Sequence, residues 1–151
     1  MKEYLFGVTK RFQFHAAHSL YNPKFSEEWN IRTYGKCLNL HGHGFLLEVT
    51  VEGEVNKDTG MVMNFNDVKS IVDKYVISKL DHSFIATDGI FKVRYEKGIF
   101  IVTEKVADFG LMPTCENLIQ WIRDKLLPHL KELKHLKLFE TSDNCAELEV
   151  E

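Results

Sequence analysis

His41-Gly42-His43-Gly44-Phe45-Leu46-Leu47-Glu48-Val49-Thr50-Val51-Glu52 carries the clearest pattern in the chain. His41, His43, Phe45, Leu47, Val49 and Val51 share one parity, and Glu48, Glu52 and Glu54 share the other. Successive side chains of a strand point to opposite faces, so the pattern predicts a strand with one apolar face that begins in two histidines. Upstream, residues 5–16 alternate in the same way, with Phe6, Val8, Phe12 and Phe14 against Thr9, Arg11 and Gln13. That is a second half-buried strand, placed to pair with the first. A long polar connection, residues 19–36, lies between them; it holds Pro23 and predicts a short helix around residues 26–33.

Downstream, Asn66 offers a helix N-cap, and Val68, Ile71, Val72, Tyr75, Val76 and Leu80 follow at helical spacing as far as Leu80-Asp81-His82. Residues 91–102 predict a hairpin with its turn at 96–98. Pro113-Thr114 opens a second helix with an apolar stripe of Leu118, Ile119, Ile122 and Leu126, and Pro128 stops it. Leu136, Leu138 and Glu140 share one strand face. A turn at Ser142-Asp143-Asn144 leads to a last strand with Ala146, Leu148 and Val150 inward. The order strand, strand, helix, hairpin, helix, strand, strand predicts an α+β domain on an antiparallel sheet.

The chain has 151 residues, the size of one ordinary domain, so 1–151 reads as a single unit. It is large enough to build a core without a metal staple. A net charge of −3 without a basic stripe argues against a nucleic-acid partner. No apolar run reaches the length of a membrane span, and Met1-Lys2-Glu3-Tyr4 does not start a signal peptide, so a cytoplasmic protein is expected. Three widely spaced cysteines, Cys37, Cys115 and Cys145, read as free thiols.

His41-Gly42-His43 is the sharpest chemical feature. Residues two apart on a strand aim both imidazoles at one point, and neutral imidazole suits Zn²⁺. A third ligand must come from elsewhere, and His15 and His18 both lie just past the first strand. Cys37 has three readings on local grounds: a fourth ligand that closes a structural site, a general base, or a buried apolar residue. Asp81-His82 is either a carboxylate that orients an imidazole or a solvated helix end. Glu140 is either a rim carboxylate or an anchor for a ligand with two adjacent N–H donors. Glu116 is explained by the helix N-terminus alone, and His129 and His135 read as surface residues.

Phe14-His15-Ala16-Ala17-His18, Cys37-Leu38-Asn39-Leu40-His41-Gly42-His43, Gly60-Met61-Val62-Met63-Asn64-Phe65, Leu80-Asp81-His82, Pro113-Thr114-Cys115-Glu116-Asn117 and Phe139-Glu140-Thr141 occur in that order. In this combination the chain resembles the 6-pyruvoyl-tetrahydropterin synthase and 6-carboxytetrahydropterin synthase family over nearly its whole length. The resemblance implies the tunnelling fold, an antiparallel four-stranded sheet with two helices on one face, joined with its copies into an oligomeric barrel. The usual assembly is a homohexamer of two stacked trimers, and residues 85–112 would add an extra hairpin. It implies zinc held by His18, His41 and His43, with Cys37 as base and Asp81 and His82 completing a relay across a subunit interface. Glu140 would hold the pterin ring of 7,8-dihydroneopterin triphosphate, and Thr114 and Glu116 would line the same pocket.

The product is read from spacing. Three residues separate Cys37 from His41, as is typical of the carboxy synthase of the 7-deazaguanine (queuosine) route, whereas the connection 21–37 resembles the pyruvoyl synthase. The spacing sets where the thiolate meets the substrate side chain, so it carries more weight. Asn64 stands where the family usually has Asp, which implies a weakened polar contact. The competing readings are a non-catalytic pterin- or purine-binding module with a structural zinc closed by Cys37, and an RNA-binding domain, which the acidic balance disfavours.

Overall fold

The computed structural model describes residues 3–86, 92–95, 98–101, 105–108 and 110–151. Strand β1 (Phe6–His18) and strand β2 (His41–Gly53) pair antiparallel along their full length, from Phe6 opposite Gly53 to His18 opposite His41. Their alternations therefore coincide: Phe12 faces Leu47 and Phe14 faces Phe45 on the buried side. The connection between them folds as helix α1 (Glu27–Tyr34), capped by the Ser26 side chain, followed by a 3-10 turn (Gly35–Leu38). Asn30, fully buried, ties this loop down: its amide donates to the carbonyls of Asn22 and Ser26 and accepts from Asn22 N–H.

The next helix begins at Asn64, not Asn66. The Asn64 side chain accepts from the N–H of Asn66 at 2.8 Å, so α2 (Phe65–Val72) starts earlier than the apolar spacing predicts. A π-helical stretch (Asp73–Ile77) and the short α3 (Ser78–Leu80) continue it. Val68, Val72, Val76 and Leu80 are all buried at intervals of four. Such a repeat drifts by about 40° per step on an α-helix, and the wider π turn offsets the drift, keeping all four on the sheet.

Beyond lie β3 (Ser83–Ala86), the hairpin strands β4 (Lys92–Tyr95) and β5 (Gly98–Ile101), and β6 (Val106–Asp108). Helix α4 (Cys115–Leu126), β7 (Leu133–Phe139) and β8 (Cys145–Glu149) complete the order. The predicted hairpin is present as an antiparallel pair, although its turn residues 96–97 and its outer ends 91 and 102 lie outside the described residues. The predicted antiparallel four-stranded sheet needs correction. Among the described residues the main sheet has six strands in the order β6-β3-β1-β2-β7-β8. The four expected strands form its antiparallel part, but β3 joins β1 in parallel and β6 joins β3 in parallel, so the sheet is mixed. Ser83, Phe84 and Ile85 are all buried, so β3 has no polar-apolar alternation to reveal it.

Two helical units cover one face, as expected: α2 and α3 lie against β1, and α4 lies against β7 and β8. Thr114 caps α4 by accepting from Asn117 N–H at 3.3 Å, and Val72, Val76, Leu80, Leu118, Ile122 and Leu126 pack on Phe14, Leu47, Leu136 and Leu138. The opposite face is polar, with Arg11 donating to Glu48 at 3.0 Å and Thr9 bonded to Thr50 at 2.7 Å. No helix among the described residues is long and apolar enough to cross a membrane.

Candidate functional site

The antiparallel register brings three histidines to one end of the buried face. His18 lies opposite His41, and His43 lies opposite Ala16, two residues along. Strand parity then points all three rings to the same side, with centroids 4.5, 4.9 and 5.0 Å apart. The Phe45 ring lies beneath His18 and His43 and is stacked on Phe14 at 4.8 Å, giving the cluster an apolar floor. His15 points to the other face, where its ring lies over Gly44. Of the two candidates for the third histidine, parity therefore selects His18.

A carbonyl orients two of the rings. His18 Nδ1 is 2.7 Å from Pro113 O, and His41 Nδ1 is 2.6 Å from Asn39 O. Each carbonyl fixes the proton on Nδ1 and leaves Nε2 as a lone pair, the arrangement that metal-ligating histidines use. His18 is buried, and burial lowers its pKa to about 4, so no proton competes for its nitrogen at neutral pH. Burial likewise lowers the pKa of His43, against the opposing pull of Glu140.

The donor set fits a metal ion. Ligand atoms of His18, His41, His43 and Glu140 lie within 4.8 Å of one another. His43 Nε2 is 3.1 Å from His18 Nε2 and 3.1 Å from Glu140 Oε1. Ligands at about 2.1 Å from a tetrahedral ion stand about 3.4 Å apart, so little adjustment is needed. Glu140 belongs here because β7 pairs with β2: Leu138 faces Leu47 and Phe139 faces Leu46, which carries the next residue toward His43.

The other predicted site residues lie around this cluster. Cys37 is half-buried on the 3-10 turn and is not one of the four potential ligands; its carbonyl accepts from Leu20 N–H at 2.9 Å, closing the α1 loop. Asp81 accepts from His15 N–H at 2.9 Å and lies 3.0 Å from His82 Nδ1. The His15 N–H holds the Asp81 carboxyl below its usual pKa, with His82 and Lys105 acting in the same direction. His82 has φ 59°, in the left-handed region unusual for a side chain of this size, and its N–H donates to His15 O at 2.6 Å. His15, His43, Gly44 and His82 line one cleft of about 530 Å³. Thr114 is spent on the α4 cap, beside the Pro113 that orients His18. Glu116 lines the groove between α4 and β8 with Arg123 and Glu147, not the cleft near His43. Burial raises the Cys115 thiol to about 11, which keeps it inert. The sequence gives no sign of Asn39 or Pro113 as orienting groups, because both act through backbone carbonyls. Sequence reasoning considers His15 only as a ligand; its backbone proves to be the mount for Asp81.

Residues 7–151 match the family model described as 6-pyruvoyl tetrahydropterin synthase. A 6-pyruvoyl tetrahydrobiopterin synthase from Dictyostelium discoideum is 40% identical over 138 residues, covering 91% of this chain and 90% of that protein. A 6-carboxy-5,6,7,8-tetrahydropterin synthase from Aquifex aeolicus is 31% identical, covering 95% and 98%. The structure of Caenorhabditis elegans 6-pyruvoyl tetrahydropterin synthase superposes with a TM-score of 0.80 at 25% identity, covering 100% of both chains. With its α+β fold, its histidine cluster and a match spanning nearly every residue, the chain belongs to the 6-pyruvoyl tetrahydropterin synthase family and is an enzyme of the 6-pyruvoyl/6-carboxytetrahydropterin synthase type.

Proposed function

We propose that the protein is a zinc-dependent carbon–oxygen lyase that eliminates triphosphate from 7,8-dihydroneopterin triphosphate, and that its product is 6-carboxy-5,6,7,8-tetrahydropterin. The observation that carries the reading is the cluster of His18, His41 and His43, with two rings locked by carbonyls and a buried, neutral His18. Bound there, Zn²⁺ supplies Lewis acidity that acidifies the side-chain hydroxyls of the substrate.

The protein's own groups do the rest. Cys37, as the general base, takes a proton from the substrate side chain. Asp81 stays ionised because His15 N–H and His82 hold it so, and at 3.0 Å it fixes the proton of His82 on Nδ1. The Nε2 of His82 is then the group that exchanges protons with Cys37. His82 is strongly exposed at its mount on the end of β1, which suits a relay completed by a second copy of the chain, as in an oligomeric barrel of two stacked trimers. Glu140 anchors the pterin by accepting from the adjacent N–H groups of its ring.

A second reading, the pyruvoyl product, is favoured by the name of the Dictyostelium relative at 40% identity and by the ordered α1 loop. The carboxy reading rests on the three residues between Cys37 and His41. One experiment decides: the zinc-loaded protein is incubated with dihydroneopterin triphosphate and the pterin is analysed by mass. Acetaldehyde with a carboxypterin marks the first product, and a retained three-carbon side chain marks the second. No release of triphosphate would overturn both.

A further inference from the structure

Glu140 has two claims on it that one carboxylate cannot meet at once. Its Oε1 stands 3.1 Å from His43 Nε2, inside the cluster formed with His18 and His41. A pterin presents its amino and ring N–H groups at the end of the ring opposite the side chain. A carboxylate seated among the metal-binding nitrogens therefore cannot also grip that far edge.

The geometry of the cluster makes the conflict sharper. A carboxylate oxygen of Glu140 and one ring nitrogen each of His18, His41 and His43 all lie within 4.8 Å of one another, in a half-buried pocket. An ion held by the three histidines would therefore sit within reach of the carboxylate, and an anionic oxygen is a good ligand for a divalent cation. The fourth place beside the three histidines falls to this carboxylate. Its distance to His43 Nε2 is close to the roughly 3.4 Å that separates two ligands of one tetrahedral zinc, so binding needs almost no movement.

We propose that Glu140 is the fourth metal ligand of the substrate-free enzyme and that it leaves the ion when a pterin binds. This rests on the zinc reading given above and extends it. The resting site is then closed and retains its metal, and it opens only when a ligand offers the carboxylate the N–H groups of its ring. Glu140 acts as a latch between metal retention and substrate admission, and no separate lid is required.

Cobalt substitution reports the coordination directly. The Co²⁺-loaded protein is compared with its Glu140→Gln and Glu140→Ala variants by visible absorption, by zinc affinity against a competing chelator, and by titration with sepiapterin as a pterin probe without triphosphate. The expected result is a changed ligand-field spectrum in both variants and zinc affinity lowered by about 10- to 100-fold. Sepiapterin shifts the spectrum of the wild-type protein toward that of Glu140→Gln. The proposal is overturned if the wild-type and Glu140→Gln spectra and affinities coincide, or if sepiapterin binds with no change in the cobalt bands. His18→Ala separates this failure from that of the parent reading: retention of cobalt by that variant, or no uptake by the wild type, would remove the three-histidine site itself. Thermal melts of each metal-free variant exclude misfolding as the cause.

Discussion

The end of the β1–β2 ladder and the Asp81–His82 turn lie next to each other and are built to different standards. At the ladder end, three histidines converge on one point over a dry floor, two with a carbonyl behind the ring. At the turn, Asp81 and His82 are tied to His15 and to each other, and Lys105 donates to Asp81 O, but the His82 ring projects outward in a left-handed backbone conformation. Cys37, the third member of the proposed relay, hangs on a separate 3-10 turn. The metal half of the site is thus complete within one chain, and the relay half is held as parts. Binding an ion needs several groups fixed together, whereas the proposed proton relay needs its last member brought into place, which in that proposal is the task of a second chain.

The strongest test of the difference is His18→Ala. Removal of a buried, carbonyl-locked ligand is expected to lower zinc affinity on the order of a thousandfold, with loss of turnover. Isothermal titration with zinc measures it. Affinity within tenfold of wild type would show that the ladder end is not the metal half.

Cys37→Ala and His82→Asn test the other half. Each is expected to lower turnover about 10²- to 10⁴-fold while zinc content stays at the wild-type level. Asn tolerates the left-handed backbone at position 82, so the fold is spared. Mixing the two inactive variants after mild dissociation is expected to restore part of the activity, since some sites then combine an intact Cys37 with an intact His82 from another chain. No recovery, with mixed oligomers demonstrated by mass spectrometry, would place the relay within a single chain and remove the contrast.

A smaller effect is expected from Gly44→Ala. A Cβ at Gly44 would lie 3.2 Å from His15 Cε1, so the His15 ring must tilt. Because the His15 backbone mounts Asp81, turnover is expected to fall by up to about tenfold with zinc affinity unchanged. A drop in affinity instead would mean that the two halves are mechanically coupled.

The sequence makes much of this legible, for reasons that differ by element. β1 and β2 each bury one face, so alternation exposes them, and the same parity aims His41 and His43 together. β3 and β6 escape sequence reading because both are short, because β3 buries Ser83, Phe84 and Ile85 without alternation, and because parallel pairing links residues by topology and not by local pattern. Strand parity alone sets Glu140 on the face it shares with Leu136 and Leu138. Its approach to His43 depends on the register of β7 against β2, which no single strand encodes. The carbonyls of Asn39 and Pro113 leave no mark in sequence, since every residue type offers the same backbone group.

Asn64 closes the comparison from outside the site. Resemblance to the family marks it as a departure from the usual Asp, with a polar contact weakened. In the structure the residue has a local role, because its side chain accepts from Asn66 N–H at 2.8 Å and caps α2. Asn and Asp cap helices about equally well, because both present a short side-chain oxygen to the free N–H groups of the first turn. Asn64→Asp is therefore expected to change stability by only a few tenths of a kcal/mol, while Asn64→Ala costs about 1 kcal/mol, both read from urea unfolding of the metal-free protein. Neither variant should alter zinc affinity, because the α2 cap is remote from the ladder end in the chain and carries none of its ligands. If Asn64→Asp instead raised turnover, the position would belong to the relay half, and the Asn found here would be a functional departure as well as a cap.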